Sequence, residues 1–177
     1  MTGEAAPHAV VARLYDAYNR HDVDAVIDCW HPQGREFLPL AGEMSADPGL
    51  RAHLGQFWAA FPDAAISVRS ITSDDERAVA QVDLAGTFSG ARFQGLVPNG
   101  RRWVARMAEV FEVHAGVITR ADVYMDSLDL MRQIGLMPPE GNRFDDVARV
   151  AFNLRTRAVQ RLAVRRRDRE APTGIAR

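Results

Sequence analysis

Few groups in this 177-residue chain are placed to do chemistry. The five histidines and the scattered carboxylates show no metal-ligand spacing. Gly86 and Gly90 are not followed by the Lys and helix of a phosphate-binding loop. No serine triad or Cys–His arrangement is present. The single cysteine, Cys29, reads as a small buried apolar residue in a reducing compartment; nothing nearby would lower its pKa and make it a reactive thiol. Neither a cofactor nor a metal is expected, which leaves single proton-transferring groups. His31 follows Trp30 at the end of a short helix and has a near-neutral pKa suited to shuttling protons, although a turn histidine is usually only solvated. Asp126 sits where a helix N-cap belongs, ahead of Leu128, Met131 and Ile134, so capping competes with catalysis there. His53 is expected to be exposed on its helix, and His114 to face solvent in a hairpin turn.

These groups are carried by a mixed set of elements. Val10, Val11, Leu14, Tyr15 and Tyr18 recur at helical spacing from Pro7 to about Ala25, interrupted by His21-Asp22. Asp22 caps a second helix, Val23 to Trp30. His31-Pro32-Gln33-Gly34 reads as a turn, Glu36–Leu40 as a short strand and Ala41–Gly49 as a loop. Leu54, Phe57, Trp58 and Phe61 stripe a helix from Leu50 to Phe61. Strands follow at Ala65–Thr72 and Arg77–Phe88. Ser89–Gly95 is glycine-punctuated and suits a bulge or a short strand. The most informative stretch is Val97–Leu136. Asn99-Gly100 signals a hairpin turn, Trp103–Val113 and Val117–Met125 read as long strands, and a helix capped by Asp126 ends the run. Helices followed by largely antiparallel strands make an α+β layout.

Apolar residues make up 47% and charged residues 25%, ordinary for a globular protein. No apolar run approaches the roughly 20 residues of a membrane span. MTGEAAPHAV lacks a basic segment followed by an apolar core, so a secretory signal is not expected and a cytoplasmic location is. The net charge of −1 hides an asymmetry: residues 1–142 carry −7 and residues 143–177 carry +6, all basic residues being Arg. Two units are therefore expected, 1–137 and 138–177, joined at Pro138-Pro139-Glu140-Gly141. Arg143–Arg167 reads as a helix striped by Phe144, Val147, Ala151, Leu154, Ala158 and Leu162. Such an Arg-rich helix suits its own domain, a dimer interface or an acidic protein partner. An anionic membrane is a further reading, and nucleic acid is not expected, because aromatic interleaving and a binding motif are missing.

Seven short motifs occur in order: Phe61-Pro62-Asp63, Gly86-Thr87-Phe88-Ser89-Gly90, Pro98-Asn99-Gly100-Arg101, Glu109-Val110-Phe111, Gly116-Val117-Ile118, Tyr124-Met125-Asp126 and Gln133-Ile134-Gly135-Leu136. Over residues 8 to 137 they resemble the SnoaL-like polyketide cyclase branch of the nuclear transport factor 2-like superfamily. The resemblance implies a cone-shaped α+β fold, a curved sheet wrapped around N-terminal helices, with a deep pocket and often a homodimer. The cyclases, and the similar limonene-epoxide hydrolases, place an Asp three residues before the Asp of Tyr-x-Asp. That position here is Val123. The hydrolases' Trp two residues earlier is Ala121, and their Arg-x-Asp pair has no counterpart near Gly86–Phe88.

If Val123 and Ala121 face the pocket, as the resemblance implies, Ala105, Met107 and Glu109 do so from the preceding strand. Glu109 is then the best surviving carboxylate, with a pKa raised by its apolar surroundings; a rim carboxylate paired with Arg106 or Arg92 is the alternative. Tyr15, Tyr18, Trp30, Trp58 and Phe88 complete the expected wall. The implied function is a cyclase or isomerase of specialised metabolism acting on a hydrophobic, polyketide-like molecule, with limited acid/base help. The alternative is a non-catalytic ligand-binding or scaffold protein of the same fold, and an epoxide hydrolase or dehydratase is disfavoured by the missing Asp.

Overall fold

Pro7 opens the first helix, where its missing N–H costs nothing, and the Val10-Val11-Leu14-Tyr15 stripe buries one face of α1, Pro7–Asn19. The computed structural model describes residues 5–139, 141, 147, 150 and 152–156. It divides into two units, Met1–Met137 and Pro138–Arg177. In the second, residues 147, 150 and 152–156 are helical, and the rest of the expected helix lies outside the described residues.

In the first unit α1 ends where His21 adopts a left-handed backbone, φ 53°. Asn19 then fastens the helix to the sheet, its side chain donating to the Ile66 carbonyl at 2.9 Å and accepting from the Ile66 amide at 2.7 Å. His21 Nε2 lies 2.8 Å from the Ala64 carbonyl. Asp22 caps α2, Val23–Ile27, by accepting from the Ala25 amide. Strands β1 (Trp30–Leu38) and β2 (Gly42–Ser45) follow, then a wide helical turn, Ala46–Leu50, and α3, Arg51–Ala60. Strands β3 (Ala65–Ser73), β4 (Arg77–Thr87), β5 (Arg102–His114) and β6 (Val117–Met125) lead to α4, Ser127–Gln133.

The six strands form one curled, unclosed sheet in the order β2-β1-β6-β5-β4-β3. β1 and β6 run parallel, and every other neighbour is antiparallel. Curvature comes from register shifts. Between Trp30 and Arg35 the parallel pairing advances only from Ile118 to Arg120 on the other strand. The turn expected at His31–Gly34 is thus a bulge inside β1: the turn-forming residues bend the strand without ending it. Gly34 is needed there, since a Cβ would lie 2.9 Å from the His31 carbonyl oxygen. The loop expected at Ala41–Gly49 is replaced by β2 and the wide helical turn.

The hairpin expected around Asn99-Gly100 is also different. Val97 lies in no strand; β4 and β5 are joined by a long excursion. Its base is closed by the Phe88 amide donating to the Arg101 carbonyl, and by the Asn99 and Gly100 amides donating to the Phe88 carbonyl. Its start docks on the end of α3, the Gly90 and Ala91 amides donating to the Ala60 and Ala59 carbonyls. The approach is so close that a Cβ on Gly90 would sit 2.1 Å from the Ala59 oxygen. Phe57, Phe61, Phe88, Phe93 and Trp103 pack together beneath this loop. Among the described residues no helix is long and apolar enough to cross a membrane.

Asp126 caps α4, its side chain accepting from the Asp129 amide at 2.9 Å. Gln133 ties the helix to β5, accepting from the Val104 amide at 2.8 Å and donating to its carbonyl at 2.9 Å. Replacing Asp126 by Ala is expected to lower stability by about 1 kcal/mol, the usual cost of losing an N-cap. Chemical denaturation checks this, and a loss above about 3 kcal/mol would mean that the residue does more than cap.

Candidate active site

Strand alternation on β5 turns Trp103, Ala105, Met107, Glu109, Phe111 and Val113 toward the helices. Five of the six are apolar, so Glu109 is a carboxyl in the phase of the strand that builds the core. It is 6% exposed. The sheet, α1, α3 and α4 enclose a cavity of about 300 Å³ whose wall is overwhelmingly apolar. The Tyr15 hydroxyl on α1 donates to Glu109 Oε2 at 2.9 Å. This bond is possible because α1 packs across the inner face of the sheet, with the Tyr15 ring edge-on to Phe111.

A second carboxyl shares the cavity. Glu36 on β1 is 8% exposed, lines the same wall, and has its Oε2 buried without a hydrogen-bond partner. Burial, helped by the negative charge of Glu109, pushes the Glu36 carboxyl up to about 8. Burial pushes Glu109 up to about 7, against the opposing pull of the Tyr15 hydrogen bond. Burial and the two carboxylates also hold the Tyr15 and Tyr18 phenols protonated, well above their ordinary value. The arrangement is thus a pair of carboxyls raised toward neutrality in one apolar cavity.

Of the residues expected at the site, Tyr15, Tyr18, Trp30, Phe88, Met107, Glu109 and Val123 line the cavity. Val123 stands directly opposite Glu109 in the sheet. Four residues are placed otherwise. Trp58 is buried behind the wall, stacked on His21 at 4.9 Å and edge-on to Tyr18 at 5.3 Å, so it supports a lining residue without being one. Ala121 is fully buried between Glu36 and Phe111 in the sheet, its methyl too short to reach past them. His31 is exposed in the β1 bulge, its Nδ1 accepting from the Gln33 amide, and does not line the cavity. Asp126 is outside the wall and engaged as a cap. Conversely, His53, expected to be exposed, is half-buried in the wall, where burial lowers its pKa.

Glu36 is the residue that sequence reasoning missed. The signal was there in weak form: one carboxylate beside Phe37, Leu38, Pro39 and Leu40. Across the β1 bulge Glu36 keeps the inward phase of Trp30 and Gly34, which leaves Phe37 outside. Among the described residues no group of three His, Cys, Asp or Glu side chains is placed to hold a metal ion.

The SnoaL-like domain family model matches residues 11–121, and the chain belongs to that family. Three solved structures share the fold. AclR from Streptomyces galilaeus, described as a proposed hydroxylase, is 23% identical with a TM-score of 0.65, over 75% of this chain and 97% of its own. IdmH from Streptomyces antibioticus, described as a proposed polyketide cyclase, is 24% identical with a TM-score of 0.65, over 74% and 99%. TsrD from Streptomyces laurentii is 25% identical with a TM-score of 0.65, over 73% and 95%. No curated protein matches the chain.

Both carboxyls are raised from their ordinary 4.5 by the fold. Below that value both states are protonated and nothing is lost. As pH rises toward about 7 and then about 8, the unfolded chain ionises freely while the native state resists, so stability falls. The melting temperature is therefore expected to decline between about pH 5 and 8 beyond what surface groups cause. The Glu36→Gln, Glu109→Gln double variant should flatten that decline in calorimetry, and an unchanged slope would acquit the pair.

Proposed function

We propose that this protein is an acid/base enzyme of the SnoaL-like type, a cyclase or isomerase that folds a hydrophobic, polyketide-like molecule in its cavity and moves one proton through Glu109. The carrying observation is the Tyr15–Glu109 hydrogen bond inside an apolar wall. It holds a carboxyl at a fixed place with a pKa near the working pH, where a general base is most effective. The substrate class is supported by the lining itself. It is apolar and aromatic, yet the buried indole N–H groups of Trp30 and Trp103 have no partner, which suits a carbon skeleton bearing a few oxygen acceptors. The likeness to IdmH, described as a proposed polyketide cyclase, points the same way. Val123 stands where related cyclases carry an acid, so the proton-transferring group in this reading sits on β5, directly across from that position.

In this reading the cavity restrains a flexible chain close to its ring-closing shape, which removes much of the entropic barrier before any proton moves. The competing reading is a non-catalytic ligand-binding protein. Linear poly-β-ketone thioester mimics, followed by native mass spectrometry and chromatography, separate the two. Conversion by the wild type and a loss of about a hundredfold or more in Glu109→Gln are expected for the enzyme. Binding without conversion would favour the ligand-binding protein.

A homodimer is part of the same proposal. Phe37, Val79, Val104 and Tyr124 are exposed on the outer face of the sheet, apolar side chains that a second copy of the sheet would cover. Sedimentation velocity is expected to show a dimer that Val79→Asp with Tyr124→Arg converts to monomer; a monomeric wild type would refute it.

A further inference from the structure

We propose that Glu36 is a second catalytic residue, the acid that hydrogen-bonds and protonates a ketone oxygen of the substrate while Glu109 removes a proton from the carbon beside it. The proposal rests on the acid/base reading above and narrows its substrate to a carbonyl compound with an acidic α-hydrogen.

The geometry comes from the sheet. Glu36 pairs with Ala121, and Glu109 pairs with Val123, so the two carboxyls flank β6 on the inner face. Two strand spacings across the sheet and two residues along it separate their backbones, about 12 Å. Both carboxyls line the one cavity, and Ala121 and Val123 between them offer neither a hydrogen bond. A C=O and its α-carbon held between the two would meet one carboxyl at each end, within the roughly 3 Å reach that proton transfer requires. A carboxylate at position 123 would set a third negative group beside the pair, so the apolar residue at the family's usual acid position leaves the two carboxyls without that repulsion.

The hydrogen bonds assign the roles. Tyr15 donates to Glu109 and so favours its anion. Glu36 Oε2 receives no such donor, and an unpaired buried anion there is costly, so Glu36 keeps its proton. As a carboxylic acid it has an O–H with no acceptor in the protein, and a substrate carbonyl supplies one. The other titratable side chains lining the cavity are Tyr15 and Tyr18 on α1 and His53 on α3; no Arg or Asp lines it among the described residues. Both phenols stay protonated, and burial keeps His53 inclined to its neutral form.

The step balances. The Glu109 carboxylate takes the α-proton, and the C–H electron pair becomes the C=C of the enol. The carbonyl π pair moves to oxygen, which takes the proton from Glu36. When the enol carbon attacks a second carbonyl of the same molecule, the enol O–H returns its proton to Glu36, and Glu109 delivers its own to the new alkoxide. Both residues regain their starting states.

The test uses 2-tetralone, an apolar bicyclic ketone with activated α-hydrogens. Loss of its α-proton signal in D2O is followed by NMR across pH, with the intact protein. The wild type is expected to accelerate exchange over buffer with a bell-shaped profile, rising as Glu109 ionises and falling as Glu36 does. Glu109→Gln should abolish the acceleration. Glu36→Leu, which removes the donor and suits an apolar site, should lower it about a hundredfold at the pH optimum and by less on the alkaline side, where Glu36 has already lost its proton. Glu36→Gln keeps a donor that cannot titrate, so part of the rate should survive and the alkaline fall should vanish. Wild-type exchange no faster than buffer would overturn the inference. So would full activity of Glu36→Leu, or an alkaline fall that persists in Glu36→Gln. If only Glu109→Gln is inactive, the proposed function stands and the role of Glu36 fails; conversion of the poly-β-ketone mimics judges that function separately.

Discussion

A carboxyl group kept from water inside an apolar cone needs a partner, and the Tyr15 hydroxyl supplies one for Glu109 across 94 positions of sequence. That single bond sets the geometry of the rest. It requires α1 to lie across the inner face of the sheet, which Asn19 and His21 secure at the far end of the helix through the β3 backbone. It requires β5 to keep strict alternation along its length, so that Glu109 falls in phase with Trp103, Met107 and Phe111. And it creates an asymmetry: of two buried carboxyls on one surface, only Glu109 is given a donor. The electrostatic character of the cavity follows from that imbalance more than from the number of charges in it.

The β5 side of the site was legible because its logic is local. Six alternating positions contain one polar residue, so the strand period exposes Glu109 without knowledge of its neighbours. The cap at Asp126 was legible for the same reason, a short polar side chain just ahead of a helical stripe. The β1 side was not. Whether Glu36 or Phe37 faces inward is set by the phase of a strand that starts at Trp30 and runs on through a bulge at His31–Gly34, and a one-residue change in phase reverses every side chain of a strand. The residues of that bulge carry ordinary turn chemistry, so they read as a terminus when the fold uses them as a bend. Likewise Asn99-Gly100 closes an excursion of the chain, because the Gly90 backbone is held against α3 and the intervening residues have to span the mouth. His53 came into the wall and Trp58 moved behind it because helical spacing fixes a stripe but not which edge of it borders empty space.

The family's habitual acid position and the carboxyls of this chain lie on neighbouring strands of the same face. Val123 is opposite Glu109, and Ala121 is opposite both Glu36 and Phe111. A sheet would allow the relocation proposed above at small cost, since adjacent strands present side chains to the same volume from points about 5 Å apart. Fold membership therefore constrains where a reactive group stands in space far more than which position of the chain provides it.

The wall described above contains two groups able to carry negative charge and, among the described residues, no lysine or arginine to balance an incoming anion. A ligand bearing a free carboxylate or phosphate would have to shed its hydration and then face like charge in a medium of low polarity. The lining thus disfavours negative formal charge: an anionic end is better accommodated in water outside the mouth than against this wall. An acidic precursor would thus be admitted only with its terminus masked, as an ester or thioester whose carrier remains in water.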